Sequence, residues 1–387
     1  MAFIPFAARP SATKQAPHLQ KRAEHDSIRV TAKGIPAGPP VWEGKEVNRE
    51  SMTIYDIAKM AGVSASSVSR VINNKPGINE EKRKQIQALL KKYHYTPNEG
   101  ARGLVNQSTK IVGVLMEDIR QSHHTESTYV VQQELMKAGY TCIALSTGYE
   151  ERRKADYIRL MEQRRVDGVI LVGSMFCVPE VEEAIRVHLP STPVVMVNGW
   201  LSLPNVYGIL IDEEGGVRDS VGLLARKGKK NLTFAINLPS PSNEKKKSGF
   251  LQGAEQCHIP PERASICYGP PGDCDSELTI QRGEELTRSV LAERPDTDAI
   301  IYSDDLLAIG GLRALESLGR AVPEEVAVMG IDNTLLGKVY RPSLTTLDNK
   351  LVEVNQNAAD TLLKVLEEKN VPHKMMLFPD IIEREST

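Results

Sequence analysis

Residues 53–95 read TIYDIAKMAGVSASSVSRVINNKPGINEEKRKQIQALLKKYHY, three short helical patterns separated by turns. In the first, Ile54, Ile57, Ala58 and Ala61 fall on one helical face, and Gly62-Val63 makes a tight turn. Ser64 caps a second segment in which Val68, Val71 and Ile72 face inward. Asn73 to Gly77 is a loop by its turn chemistry. Asn79 then caps a third segment whose apolar stripe is Ile86, Leu89, Leu90 and Tyr93. Such a module predicts a helix-turn-helix, in which the second helix packs on one side and shows short polar side chains on the other. Its outward positions are Ala65, Ser66, Ser69, Arg70 and Asn73. Arg70 offers a bidentate fork to a guanine, and serine or asparagine can bond bases or phosphates.

The charge distribution agrees. Met52 to Lys110 holds ten Lys/Arg against four Asp/Glu, and Met1 to Ser51 holds eight against five, while the whole chain is at −2. The remainder is therefore acidic by −11, so a basic module precedes an acidic body, as expected where one end meets a polyanion. Met1–Ser51 has no sustained periodicity and carries Pro36, Pro39 and Pro40. It reads as a disordered extension or, with Met52 as the start, a mis-assigned beginning.

Beyond Lys110 short β-branched runs alternate with amphipathic segments. The runs are 111–116 (IVGVLM), 141–146, 168–173, 193–198, 231–236, 299–303 and 326–331. Strand and helix repeated this often predict parallel sheets with helices on both faces, and their number favours two lobes over one sheet. The expected fold is a small all-α headpiece followed by an α/β sensor of two doubly wound lobes. Its domains are a headpiece at 52–97, a hinge at 98–109 and a body at 110–387. One lobe is expected at about 110–210 with 349–372, the other at about 211–348 with 373–387.

No apolar run approaches the roughly 18 residues that span a bilayer, and no secretory leader is evident. The five cysteines are an odd count without a CxxC pair, read as thiols in a reducing cytoplasm. GxSxG, HExxH, Walker and dinucleotide fingerprints are absent, so neither an enzyme nor a cofactor is expected. The pair His123-His124 is a weak metal candidate with no third ligand fixed by spacing, and no metal is expected. A metal-dependent enzyme or a solute-binding transport protein is the alternative class.

The contiguous features DIAKMAGVS, VSRVIN and YTPNEGARGL make residues 53–104 resemble the DNA-binding headpiece of the lactose/galactose repressor family. The resemblance continues through VDGVIL, SDDLLAIGGLRAL, VPEEVAVMGIDNT and YRPSLTTL, leaving only Met1–Ser51 outside it. It implies a cytoplasmic regulator, a repressor of carbohydrate genes. Such a protein binds pseudo-palindromic double-stranded operator DNA as a homodimer; without a C-terminal leucine heptad, a tetramer is not expected. Thr53, Tyr55 and Ser64 join the recognition positions as DNA contacts. Asn98–Val105 becomes the hinge, with Asn98 and Ala101 at the DNA and Leu104 wedging into the minor groove. Gly100 and Gly103 make that segment a poor helix alone, so its folding is expected to need DNA. The body is implied to be similar to periplasmic sugar-binding proteins, with the effector, a sugar or sugar phosphate, between the lobes. Its candidate contacts at strand ends and in the loops just after them are His123, His124, Asn198, Trp200, Asp304 and Asp332, joined by Asn349 and by Lys246 of NEKKKSGF, where most relatives carry an arginine. Two residues depart from the family pattern. Lys246 replaces an arginine fork by a point charge, and Asp304 adds a carboxylate where asparagine is common.

Overall fold

The computed structural model describes residues 52–95, 108–269 and 276–387. The chain divides into two units between residues 96 and 97. In the first unit, Thr53 and Asp56 form a reciprocal capping box that starts helix α1, Ile54–Ala61. Gly62, at φ 64°, ends that helix in the left-handed conformation, which glycine adopts without steric cost. Ser64 accepts from Ser67 N to start α2, Ala65–Ile72, and Asn79 accepts from Glu81 N to start α3, Glu80–Lys92. Ile57, Ala58, Ala61, Val68, Val71 and Ile86 meet in the small core. Arg83 ties the loop after α2 by donating to Asn74 Oδ1 (3.2 Å) and Lys75 O (2.7 Å).

The second unit alternates strictly at first: β1 Ile111–Met116, α4 Ser122–Lys137, β2 Thr141–Ser146, α5 Glu151–Gln163, β3 Gly168–Val172, α6 Pro179–His188, β4 Val194–Val197 and β5 Val206–Ile211. It continues with α7 Glu213–Arg226, β6 Leu232–Ile236, α8 Pro241–Gln256, β7 Ala264–Tyr268, α9 Ser276–Glu293, β8 Ala299–Tyr302, α10 Asp305–Ser317 and β9 Ala327–Ile331. The chain closes with α11 Leu335–Val339, β10 Thr345–Asp348, α12 Leu351–Leu366, β11 Lys374–Leu377 and β12 Asp380–Ile382. Two six-stranded sheets result, in the orders β11-β5-β4-β3-β1-β2 and β12-β10-β9-β8-β6-β7. Every pairing is parallel except β12 against β10. Both faces of each sheet are covered by apolar clusters, which is why most of these strands are continuous apolar runs.

The expected lobe boundary needs one correction. Lys374–Leu377 pairs with β5 in the first sheet, not with the second lobe, because Met375 and Leu377 complete the apolar layer that α12 covers. The chain therefore crosses between lobes three times, at residues 212, 349–350 and 378–379. These crossings are tied together. Lys350 pairs with Asp380, and Asp212 N donates to Leu377 O (2.9 Å). Gly216 lies so close to two of them that a Cβ there would meet Leu347 Cδ2 and Pro379 Cγ at 2.6 Å. At the opposite end of the first sheet, Asp167 accepts from Ser108 Oγ, Thr109 N and Lys110 N and anchors the chain as it enters β1.

Candidate functional site

On the headpiece, the outer side of α2 is opposite the buried Val68 and Val71. Ser66, Arg70 and Asn73 are exposed there, Ala65 and Ser69 are half-buried, and the helix holds no acidic residue. Tyr55 projects from α1 with 73% of its surface exposed. Two expected contacts already have structural work. The Thr53 hydroxyl serves the capping box, and Ser64 Oγ caps α2 while sharing a 2.8 Å bond with Ser66 Oγ. Asn73 caps the other end and donates to Ser69 O (2.9 Å). Asn98, Ala101 and Leu104 lie outside the described residues.

In the body, the carboxyl ends of both sheets line a cavity of about 190 Å³. That is below the roughly 300–1,000 Å³ of sites for drug-sized ligands, so the cavity suits one small, compact molecule. His123, His124, Asn198, Lys246, Asp304, Asp332 and Asn349 all line it. Trp200 does not. Its ring packs over Gly208 of β5, with Lys374 Nζ 3.5 Å from the ring centroid. Asn198, at φ 55°, turns the chain at the end of β4, so residues 198 and 200 serve different surfaces.

The half of the cavity on the first lobe centres on Glu117, which directly follows β1 and is 2% exposed. His124 Nε2 lies 3.2 Å from one of its oxygens and Lys154 Nζ 3.5 Å from the other. Lys154 is fully buried and also donates to Met175 O at 2.7 Å. Burial pulls its ammonium below the ordinary lysine range against the opposing pull of Glu117. His124 Nδ1 lies 2.9 Å from Asp118 O, which only accepts, so that nitrogen carries a proton. His123, its ring 4.2 Å from that of His124, is pushed well down by burial, by His124 and by Lys246, and is neutral.

On the second lobe, Lys246 Nζ lies 3.4 Å from Glu213 Oε1 and donates to Ser303 O (3.1 Å). Burial alone would lower this ammonium; Glu213, Asp332 and Asp304 outweigh it and hold the group above its usual range. Asp332 follows β9 and accepts from Asn349 Nδ2 (2.9 Å). Burial, opposed by Lys246 and reinforced by Asp304, raises its carboxyl to about 6. Asp304 follows β8 and caps α10 through Leu307 N (2.9 Å); burial raises it as well. The lobes touch across the cleft, where Ser242 N donates to Ser174 Oγ (3.2 Å); within the second lobe Ser242 Oγ donates to Glu213 Oε1 (2.7 Å).

Sequence reading missed Glu117 and Asn237, which directly follow runs it had identified, because only part of each strand-end loop was weighed. Glu213 was missed for another reason. It follows β5, VYGILI, which was not read as a strand at all.

Among the described residues no helix is long and apolar enough to cross a membrane, and no group of three His/Cys/Asp/Glu is arranged to hold a metal. Comparison with known proteins matches residues 53–98 to the profile of bacterial regulatory proteins of the lacI family, and residues 221–387 to a periplasmic binding protein-like domain. An HTH-type transcriptional regulator of Lachnoclostridium phytofermentans is 32% identical over 338 residues, covering 87% of this chain and 99% of that protein. The ribose operon repressor of Halalkalibacterium halodurans is 26% identical over 340 residues, covering 87% and 97%. Among solved structures, the lac repressor dimer bound to operator and an anti-inducer superposes with a TM-score of 0.77 at 21% identity, covering 87% of this chain and 98% of that one.

Proposed function

The chain belongs to the lacI family of bacterial regulatory proteins, and from that premise we propose that it is a cytoplasmic, non-enzymatic repressor of carbohydrate-utilisation genes whose hold on DNA is set by a small polyhydroxylated effector. Two headpieces of a homodimer read the halves of a pseudo-palindromic operator. Arg70 and Asn73 face base edges from α2, while Tyr55, Thr53, Ser64, Ala65, Ser66 and Ser69 position the helix on the phosphates. In the hinge, Asn98 and Ala101 contact the DNA and Leu104 enters the minor groove.

The observation that carries the effector half of this reading is the cavity where the two sheets' carboxyl ends face each other. Its walls come from both lobes, so a molecule that fills it bonds to both and favours the closed arrangement over any open one. Coupling to DNA then follows as a difference in operator affinity between the two arrangements. The test is selection of the full-length protein's preferred sites from random duplex DNA, then anisotropy titration of the best site with and without carbohydrates. A two-fold symmetric site whose affinity changes with a compound bound in the cleft is expected. A protein that selects no sequence, or that keeps one affinity with the cleft occupied and empty, overturns the reading.

A further inference from the structure

The cavity is lined by four carboxylates, Glu117, Glu213, Asp304 and Asp332, and by one lysine, Lys246. On the first lobe the balance closes, because Glu117 has both Lys154 and His124 beside it. On the second lobe it does not. Among the described residues that line it, Glu213, Asp304 and Asp332 face Lys246 as their one lysine, and His123, which borders the same space, is neutral. Asp305, immediately behind, adds a further buried carboxyl, already bonded to Thr334 and Thr346.

The same half of the cavity lacks donors. Glu213 Oε2 has no hydrogen-bond partner among the described residues although the residue is 1% exposed. The amide oxygens of Asn349 (5% exposed) and Asn243 (9% exposed) are equally unpartnered. Their orientation is fixed, since the Asn349 amide nitrogen donates to Asp332 Oδ1 and that of Asn243 to Leu238 O. On the facing lobe, Asn198 Oδ1 after β4 is unmatched as well, and Glu117 Oε1 has only the Lys154 ammonium 3.5 Å away. Unmatched buried acceptors are costly, so the missing partner is a group rich in N–H or O–H.

An anion does not answer this need. On the second lobe the helix N-termini bordering the cleft are closed by the chain's own side chains, whereas those of α4 and α12 on the first lobe carry no side-chain cap. Asp212 accepts from Gly215 N (3.0 Å), Ser240 from Asn243 N (3.0 Å) and Asp304 from Leu307 N (2.9 Å). Lys246, the lysine that lines the cavity, is already engaged by Glu213 and Ser303 O, and an anion would add to the surplus of carboxylates while bringing few donors. A neutral sugar supplies hydroxyl donors and leaves the charge unbalanced. A protonated amine supplies three donors and the positive charge together.

Resting on the effector reading above, we propose that the effector is a small polyhydroxylated amine, an amino sugar or a hydroxylated alkylamine, whose ammonium group sits against Asp332 and Glu213. The remaining hydroxyls donate to Asn198, Asn243 and Asn349.

Two measurements on the full-length protein decide it. The first is calorimetric titration at pH 7.5 with matched series on one ring: glucose, glucosamine, N-acetylglucosamine and glucose 6-phosphate, and the corresponding galactose series. The amine is expected to bind at least about tenfold tighter than its partners, an advantage that Asp332→Asn removes. A neutral, acylated or phosphorylated member that binds as well as the amine overturns the proposal. The second needs no ligand. Asp332→Asn keeps the acceptor for Asn349 while removing surplus charge, so its melting temperature is expected to exceed wild type at pH 7.5 and to converge with it as pH falls to about 4, where the unfolded aspartate is protonated as well. An Asp332→Asn protein no more stable than wild type at pH 7.5 overturns the proposal even where no compound binds. An amine that binds the cleft without changing operator affinity refutes the regulatory reading and leaves this one standing.

Discussion

Asp305 offers a pH experiment whose size follows from the structure. Its carboxylate is fully buried, accepts from Thr346 Oγ1 (2.6 Å), Thr334 N (2.6 Å) and Thr334 Oγ1 (2.9 Å), and has Asp332 nearby. Burial outweighs the hydrogen bonds, and Asp332 adds to it, so the group is raised to about 7. An unfolded aspartate titrates near 3.9. A folded value above the unfolded one means that the group's stabilising contribution is complete below about pH 4 and is lost as pH rises through about 7. Each pH unit well inside that window is worth about 1.4 kcal/mol and less on reaching its upper edge, so the step from pH 5 to pH 7 costs the wild type about 2 kcal/mol through this side chain. For a domain of this size that is roughly 4–8 °C in melting temperature. Asp305→Asn imitates the protonated acid, with one acceptor and one donor and no charge. Melting followed by circular dichroism at pH 4, 5, 6, 7 and 8, at constant ionic strength, is expected to give curves that meet near pH 4, separate up to about pH 7 and run parallel above it, the variant higher. Parallel curves, offset by the same amount at every pH, would refute the reasoning, because the carboxylate would then be ionised throughout.

Arg70→Ala is expected to weaken the preferred operator by about 1–3 kcal/mol and relax base choice at one position per half-site, read by gel-shift titration of site variants. Equal affinity for all variants and for wild type would remove α2 from the major groove. Leu104→Ala is expected to reduce DNA bending in circular-permutation assays while ligand titrations stay unchanged; wild-type bending would exclude a wedge. Lys154→Met leaves the buried Glu117 with His124 alone and is expected to cost about 3–5 kcal/mol in denaturant unfolding, part of it recovered by adding Glu117→Gln. An additive double variant would deny the pairing. Trp200→Phe is expected to leave ligand affinity within experimental error, since the ring packs outside the cavity; a large loss of affinity would return it to the site.

Much of the fold was legible because both sheets are covered on two faces, which turns their inner strands into apolar runs of unmistakable composition. IVGVLM and TCIALS were read with the boundaries that the structure has, 111–116 and 141–146. VYGILI of β5 escaped although it lies inside its sheet, and the other strands that escaped are of two kinds. KMML of β11, ASICY of β7 and DII of β12 are sheet edges, short and incompletely buried, so they carry a weak pattern. TTLD of β10 hides its burial behind two threonines, of which Thr346 is held inside by Asp305. The headpiece was legible down to two of its caps, since Ser64 and Asn79 are local signals that owe nothing to distant contacts, while the Thr53 cap went unread. The cavity was legible one wall at a time. Strand ends pointed to Asp304, Asp332 and Asn198, yet the charge surplus among Glu213, Asp304 and Asp332 depends on which loops face one another. Trp200 shows the converse, since its nearness in sequence to Asn198 said nothing about the turn between them.

The three bundled crossings also fix a mechanical ratio. Glu213 and Asn349 adjoin the crossings at residues 212 and 349–350 and also touch the cavity, so a bound molecule pushes almost on the pivot. The chain enters the first lobe at the other end of β1, one strand length away, where Asp167 clamps residues 108–110. With strands of six residues that arm is about 20 Å, and a rotation of about 10° sweeps its tip through about 3–4 Å while atoms beside the pivot move only a few tenths of an ångström. The geometry is that of a short-handled lever: a ligand that shifts its immediate neighbours very little carries the doorway of the linker over a distance comparable to the spacing of adjacent bases.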